Sequence, residues 1–189
     1  FFWPNTAKRS IFIFFHIFYH MPQAGETGPH RMRLPAYTMK LTEKRLSGKE
    51  LYHGKIIRVQ LDEVELENGA KAMREVVRHP GGVSAAILTQ ENEMLFVRQF
   101  RYPYAQVVLE CPAGKLEPWE DPFEAMKREQ KEETGTTSDA YLELGRIYPT
   151  PGYSDEVLHL YACRVASWGA QHLDPDEFIK VERNPLQKA

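Results

Sequence analysis

The sequence predicts an α/β domain in which a mixed sheet is covered by helix. Strand-like segments run from about residue 50, a capped helix is predicted at about 122–134, and further strand-like segments follow the helix. The pair Asn68-Gly69, between two of the early segments, is a strong hairpin signal. These three observations together indicate sheet and helix in one domain.

The strand-like segments before the helix come in pairs. The first pair, KIIRVQLDEVEL and KAMREVVRHP, flanks Asn68-Gly69, and the second, VSAAILT and EMLFVRQFR, flanks a polar turn at 90–93. The segment QVVLECPAG then leads towards the helix. Three more segments follow the helix: YLELGRIYP, EVLHLYACRV and FIKVERN. We therefore expect two hairpins before the helix and further strands after it.

The predicted helix has recognisable signals at both ends. Asp121 is a good N-cap, Pro122 suits the first helical position, and Glu124 is placed to complete a capping box. Gly135 can adopt the left-handed conformation that ends a helix. These residues predict a helix over about 122–134.

Three glutamates of this helix project on the same side. Glu129 and Glu133 are four residues apart, so they form a like-charge pair that costs roughly 0.2–0.5 kcal/mol. Arg128 can pair with Glu132 at the i,i+4 spacing and orient that carboxylate. A solvated face with ion pairs is the ordinary alternative, but nothing in the helix is placed to neutralise Glu129 and Glu133. A hard divalent cation is their natural partner, and Mg²⁺ typically binds a few carboxylates together with substrate phosphate oxygens.

Composition limits the possible functions. The chain has 189 residues, is 42% hydrophobic and carries a formal net charge of −2, which suits one compact domain and gives no basic excess for nucleic acid. Its two cysteines, Cys111 and Cys163, fall in predicted strands. We expect them to be free thiols in a reducing compartment, the cytoplasm.

The first 38 residues differ from the rest. They begin with Phe1 and include the apolar run IFIFFHIFYH at 11–20, preceded by two basic residues. This run is too short to span a bilayer, and no clean cleavage site follows it. We expect 1–38 to lie outside the native protein, which then starts at Met39 and is cytoplasmic in character, with a targeting segment as the alternative.

One segment resembles a known motif, the Nudix box G-x5-E-x7-R-E-U-x-E-E-x-G-U, in which U is usually aliphatic. All seven fixed positions of this box are occupied, by Gly114, Glu120, Arg128, Glu129, Glu132, Glu133 and Gly135. Gln130 and Thr136 depart from the pattern at its two U positions. Because Gln130 falls on the buried side of the helix, it must find hydrogen-bond partners or weaken the packing.

Segments outside the box resemble those of ADP-ribose pyrophosphatases. They are ECPAGKLEPWED, TPGYSDE at 150–156, REVVRHPGGVSA and VRQFRYP, and the likeness covers about 45–182. Trp119 departs from it at a position where glycine is common. The resemblance implies a Nudix fold, an α/β/α sandwich with a mixed sheet, in residues 81–189. A small antiparallel strand region in 39–80 is then expected to precede it and to serve dimerisation.

The resemblance also implies an activity and its partners. The activity is Mg²⁺-dependent hydrolysis of ADP-ribose to AMP and ribose 5-phosphate, with Mn²⁺ as a substitute metal. Hydrolysis of another nucleotide sugar is the alternative among enzymes, and a non-catalytic nucleotide-binding protein is the alternative outside them. The implied partners are a small-molecule nucleotide diphosphate sugar and a second copy in a homodimer, with no nucleic acid and no membrane.

Site residues follow from the same resemblance. The implied metal ligands are the backbone carbonyl of Ala113 and the carboxylates of Glu129, Glu132 and Glu133. The implied catalytic residues are Glu177 as proton acceptor, Arg128 and Glu132. The implied substrate contacts are Arg74, Arg101 and Glu156.

Several of these assignments have alternatives. Glu120 binds metal indirectly or only braces its loop, and Asp176 is the second choice after Glu177 as proton acceptor. Arg74 and Arg101 suit phosphate because their planar groups donate two hydrogen bonds at once, but either can be an ordinary strand-edge charge. Related proteins usually continue past the last strand into another helix, so a chain that ends at Ala189 is expected to leave part of its sheet uncovered.

Overall fold

The computed structural model describes residues 40–186. The expectations about residues 1–38 and about the end of the chain lie outside these residues. The strands of the described part are β1 (Lys44–His53), β2 (Arg58–Glu65), β3 (Lys71–Arg78), β4 (Gly82–Leu88), β5 (Glu93–Arg101), β6 (Gln106–Glu110), β7 (Ala113–Lys115), β8 (Thr136–Thr137), β9 (Tyr141–Ile147), β10 (Leu158–Arg164), β11 (Ser167–Trp168) and β12 (Lys180–Pro185). Its α-helix is α1 (Pro122–Thr134), and a short 3₁₀ turn spans Tyr102–Tyr104.

An antiparallel sheet of three strands, in the order β1-β2-β3, forms the N-terminal region. Its β2–β3 hairpin turns at Gly69, where φ is +81°, and the Ala70 N–H donates to Asn68 Oδ1 at 3.0 Å. This confirms the hairpin and the small antiparallel region predicted from the sequence. No individual strand was predicted at β1, because all of its residues are exposed and it shows no apolar alternation.

The second sheet is mixed, as predicted. Its main order is β12-β5-β4-β10-β9, with β6 paired to β5 and β7 paired to β4. Strand β10 runs parallel to β4, and the other pairs in this sheet are antiparallel. Two-residue strands β8 and β11 form a separate small pair, which the sequence did not predict.

The β4–β5 hairpin opens after two residue pairs. Ile87 pairs with Leu95 and Leu88 with Met94, after which β6 and β7 enter the gap. Because Pro112 has no N–H, the predicted single strand over QVVLECPAG breaks there into β6 and β7. Cys111 therefore lies between strands, contrary to the prediction. The insertion of β6 and β7 between β4 and β5 brings β7 against the middle of the sheet, beside helix α1.

Helix α1 packs its apolar side on the mixed sheet. The core cluster consists of Val83, Ala85, Ile87, Leu95, Ala125, Met126, Tyr161, Cys163 and Val165. Met126 is fully buried there, and burying such a side chain contributes about 1.5–3 kcal/mol. Among residues 40–186, α1 is the only α-helix covering the sheet, and no helix is long and apolar enough to cross a membrane.

Candidate active site

Helix α1 begins and ends where the sequence predicts. The Asp121 side chain accepts from the Phe123 N–H at 2.9 Å and the Glu124 N–H at 3.3 Å. Gly135 ends the helix with φ +66°, and its N–H donates to the Lys131 carbonyl at 3.0 Å. The capping-box prediction for Glu124 is wrong, because its carboxylate instead accepts from Lys127 Nζ at 2.8 Å.

Two box carboxylates are buried between α1 and β7. Glu129 is 8% exposed and Glu133 is 3% exposed. The Ala113 N–H donates to Glu133 Oε2 at 2.9 Å. A Cβ atom placed on Gly114 would overlap the Glu129 carboxylate, so a larger residue at this position would displace that carboxylate from its place beside β7. The first glycine of the box thus allows the side chain of Glu129, which lies in α1, to pack against the β7 backbone.

Arg128 binds more carboxylates than the sequence predicted. Its Nε and Nη2 both donate to Glu120 at 2.9 Å, and Nη1 donates to Glu132 and Glu129 at 2.8 Å each. The Glu132 pair confirms the i,i+4 expectation, whereas the idea that no helix residue neutralises Glu129 is wrong. The planar guanidinium reaches several acceptors at once. Because Glu120 accepts two bonds, it braces Arg128 against the loop that precedes the helix.

Burial raises the pKa of the two carboxylates next to β7. Desolvation raises the pKa of Glu133 to about 8, with the charges of Glu129 and Glu177 adding to the rise and the Ala113 N–H opposing it. Desolvation also raises the pKa of Glu129, although Arg128 opposes this. The Arg128 guanidinium lowers the pKa of the more exposed Glu120. A cation at Glu129 and Glu133 would relieve both desolvation and mutual repulsion.

Gln130 finds partners for its whole amide. It is fully buried, and its Nε2 donates to Thr136 Oγ1 at 3.0 Å and to Ser138 Oγ at 2.9 Å. Its Oε1 accepts from the Tyr141 hydroxyl at 2.6 Å and from Cys163 Sγ at 3.6 Å. The two departures from the box, Gln130 and Thr136, therefore bind each other. The expectation that Gln130 requires hydrogen-bond partners is confirmed.

The loop that carries Glu177 lies close to the box carboxylates. The charge of Glu177 adds to the rise in the pKa of both Glu129 and Glu133. The Glu177 carboxylate accepts from the Asp174 N–H at 3.3 Å. The preceding segment is tied to the end of α1, because the His172 N–H donates to the Glu132 carbonyl at 2.9 Å. No sequence signal indicated this tie, which depends on tertiary packing. Asp176, the second choice, is exposed in the same loop.

Arg101 faces the same site from β5. Its Nε and Nη2 donate to the two oxygens of Glu110 at 2.8 and 2.7 Å. The hydrogen bonds to Glu110 raise the pKa of Arg101, and the charges of Glu133 and Glu177 add to the rise. Glu110 was not predicted as a site residue, although it opens the segment ECPAGKLEPWED whose resemblance pointed to the subfamily.

Arg74 and Glu156 are not joined to this cluster. Arg74 lies on β3 in the N-terminal sheet, where its Nε donates to Glu43 at 2.9 Å. Glu156 lies before β10, with its Oε1 3.8 Å from His79 Nδ1. Within residues 40–186, neither side chain contacts a box carboxylate.

The donor set of the box fits a hard divalent cation. All candidate ligands are oxygen atoms, and two of the carboxylates are desolvated and repel each other. Among residues 40–186, no three acidic, histidine or cysteine side chains are already gathered around one point. Mg²⁺ is usually held by one or two carboxylates and completes its coordination with water and substrate phosphate.

Comparisons with known proteins agree with this geometry. The sequence profile of the NUDIX domain matches residues 78–189, and that of the nucleoside diphosphate sugar hydrolase N-terminal domain matches residues 43–77. An ADP-ribose pyrophosphatase of Bacillus subtilis (strain 168) is 37% identical over 151 residues, covering 79% of this chain and 82% of that protein. A methanol dehydrogenase activator of Bacillus methanolicus is 39% identical over 149 residues, covering 78% of this chain and 80% of that protein.

A solved structure supports the fold. The crystal structure of an ADP compounds hydrolase superposes with a TM-score of 0.66 at 20% identity, covering 77% of this chain and 79% of that one. At this identity the likeness concerns the fold alone.

Proposed function

Because the chain belongs to the NUDIX family, we propose that it is a hydrolase that cleaves the diphosphate linkage of ADP-ribose, with Mg²⁺ as its divalent cation. One observation carries this proposal: the buried pair of Glu129 and Glu133 beside the β7 backbone, with raised pKa values. The similarity to an ADP-ribose pyrophosphatase at 37% identity supports the choice of substrate.

In the proposed reaction, water attacks one phosphorus atom of the diphosphate. A bond forms between the water oxygen and that phosphorus, and the bond from the phosphorus to the bridging oxygen breaks. The products are AMP and ribose 5-phosphate, so the reaction consumes one water and needs no other reactant. A divalent cation supplies charge neutralisation on the phosphates and makes the attacking water more acidic.

Residues of the box hold the cation in this proposal. Its ligands are Glu129, Glu132 and Glu133, together with the Ala113 carbonyl. Arg128 orients Glu129 and Glu132 through its 2.8 Å hydrogen bonds, so these carboxylates are placed before substrate arrives. In NUDIX proteins a divalent metal is a general requirement, and Mn²⁺ is the expected substitute for Mg²⁺.

Residues outside the box handle the proton and the substrate. Glu177 accepts the proton of the attacking water, which its nearness to Glu129 and Glu133 supports. Arg101 binds the diphosphate and nucleoside portion while Glu110 holds its guanidinium. Glu156 accepts hydroxyl groups of the sugar at the far end of the substrate.

A homodimer completes the proposed site. Strand β1 is exposed along its whole length, and Leu51, Tyr52 and Met73 of the N-terminal region are more than half exposed. Pairing of this sheet with a second copy would cover these side chains. Arg74, which lies in the same sheet and apart from the box of its own chain, then contributes to the partner's substrate site.

The free thiols Cys111 and Cys163 support a cytoplasmic location for this enzyme. Another nucleotide sugar is the second candidate substrate, because the profile that matches residues 43–77 describes nucleoside diphosphate sugar hydrolases in general.

A substrate panel tests the proposal. ADP-ribose, ADP-glucose and GDP-mannose are each incubated with the protein and Mg²⁺, and kcat/KM is measured for each. We expect the highest kcat/KM for ADP-ribose, and a loss of at least about 100-fold for Glu133→Gln. Glu124→Gln is the matched control on the exposed side of α1 and is expected to keep full activity. A higher kcat/KM for another sugar would replace ADP-ribose as the substrate, and an active Glu133→Gln would refute the assigned site.

A further inference from the structure

The loop between β9 and β10 (148–157) is docked on the N-terminal sheet. It contains two prolines, which donate no backbone hydrogen bonds, so it depends on outside support. Val77 at the end of β3 provides that support. Its N–H donates to the Tyr153 carbonyl at 2.7 Å, and its carbonyl accepts from the Asp155 N–H at 3.2 Å. A strand of the N-terminal sheet therefore holds this loop through its backbone.

The Asp155 carboxylate adds a second attachment. Its Oδ1 accepts from the His79 N–H at 2.9 Å, and its Oδ2 accepts from Arg78 Nη1 at 3.0 Å. Both oxygens of this side chain are thus bonded to residues at the end of β3. The Asp155 carboxylate therefore faces the N-terminal sheet.

Arg78 is itself held from the other side. Its Nε donates to Gln60 Oε1 at 2.9 Å, and its Nη2 is 3.9 Å from Asp62 Oδ2. Asp62 is buried and forms an ion pair with Arg45 Nε at 2.9 Å. A guanidinium fixed at two sites presents its remaining N–H groups in a defined direction. The Asp155 side chain therefore meets a partner that is already oriented.

Glu156, next to this anchor, has a different environment. Its N–H donates to Ser154 Oγ at 3.1 Å, which orients its backbone. His79 Nδ1 is 3.8 Å from its carboxylate but accepts from the Gly81 N–H at 3.1 Å, so this nitrogen does not donate to Glu156. Within residues 40–186, no hydrogen-bond donor contacts the Glu156 carboxylate. Both carboxylate oxygens of Asp155 are therefore hydrogen-bonded, whereas those of Glu156 remain available as acceptors.

We propose that Arg78 and Asp155 are positioning residues, which fix the β9–β10 loop so that Glu156 can bind the hydroxyl groups of the far sugar of a nucleoside diphosphate sugar. This inference rests on the proposed function. The side chains of Arg78 and Asp155 are 35% and 41% exposed, so their ion pair adds little to stability. Loss of the pair is expected to displace Glu156 while leaving the fold and the box intact.

Kinetics with two substrates test this role. Asp155→Asn and Arg78→Gln each break the pair from one side, so the test does not depend on the folding of one variant. ADP-ribose is compared with the methyl ester of ADP, which has a diphosphate but no far sugar. We expect each variant to raise KM for ADP-ribose about tenfold, with kcat within about twofold and no change for the methyl ester.

Two further variants make the test specific. In a Glu156→Gln background, Asp155→Asn is expected to add less than about twofold to KM, because its effect passes through Glu156. Glu63→Gln removes an ion pair with Lys71 in the same sheet, away from the loop, and is expected to leave KM unchanged. Equal effects on both substrates, a matching fall in kcat, or additivity with Glu156→Gln would overturn the positioning role. Absence of hydrolysis by the unsubstituted protein would overturn both the positioning role and the proposed function. The outcomes above, seen with an active unsubstituted protein, would overturn the positioning role alone.

Discussion

Glu133→Gln should stabilise the metal-free protein at alkaline pH while it removes activity. In the folded protein, burial raises the pKa of Glu133 from 4.5 to about 8. Between these values the folded state holds a proton that the unfolded state has released, so stability falls as pH rises. At about 1.4 kcal/mol for each pH unit, the loss by pH 8 has an upper limit of roughly 5 kcal/mol. Glutamine is neutral at every pH and can still accept from the Ala113 N–H, so the variant escapes this loss.

Urea unfolding with a chelator present measures this effect. We expect the free energy of unfolding of Glu133→Gln to exceed that of the unsubstituted protein by about 2–3 kcal/mol at pH 8, and the difference to vanish near pH 4.5. Glu132→Gln is the matched control, because Glu132 is 36% exposed and pairs with Arg128, so no gain is expected. A flat pH profile for the unsubstituted protein, or a Glu133→Gln variant that is no more stable at pH 8, would refute the reasoning.

Three other predictions concern the neighbourhood of the site. Gln130→Leu should cost about 2–4 kcal/mol in urea unfolding because it removes the hydrogen bonds between the buried amide and the hydroxyls of Thr136, Ser138 and Tyr141, and adding Thr136→Val should recover part of the loss; purely additive losses would contradict this. Gly114→Ala should displace the Glu129 carboxylate and lower the rate of ADP-ribose hydrolysis at least about 100-fold with an unchanged circular dichroism spectrum; retained activity would contradict the packing. Asp121→Ala should lower the free energy of unfolding by about 1 kcal/mol and Asp121→Asn much less, and equal losses would argue against capping.

Local signals predicted the helix that carries the site. Asp121, Pro122 and Gly135 define both ends of α1, because a side-chain cap, a restricted φ and a left-handed glycine act within a few residues. The hairpin at Gly69 was predicted for the same reason. The mixed sheet and the helix that packs on it also follow from the order of the segments. Strand β1 and the two-residue strands were not predicted, because their residues lack the alternation of apolar and polar side chains that indicates a strand.

Contacts between distant residues could not be predicted from local pattern. The i,i+4 spacing indicated the bond from Arg128 to Glu132, whereas its bonds to Glu120 depend on how the preceding loop folds back. The pair of Arg101 and Glu110 likewise joins residues nine apart on β5 and β6, where Arg101 lies opposite Gln106 and Glu110 lies opposite Val97. The box pattern indicated which carboxylates matter. It did not indicate that Gly114 is needed because the Glu129 side chain lies against it.

The catalytic importance of the buried carboxylates can be measured directly. ADP-ribose is incubated with Mg²⁺ and either the unsubstituted protein or the double variant Glu129→Gln, Glu133→Gln, and AMP and ribose 5-phosphate are quantified. We expect equal amounts of the two products from the unsubstituted protein, and a rate below about 1% of this from a folded double variant. Undiminished hydrolysis by the double variant, or none by the folded unsubstituted protein, would contradict the central claim that these two carboxylates form a metal-dependent diphosphatase site.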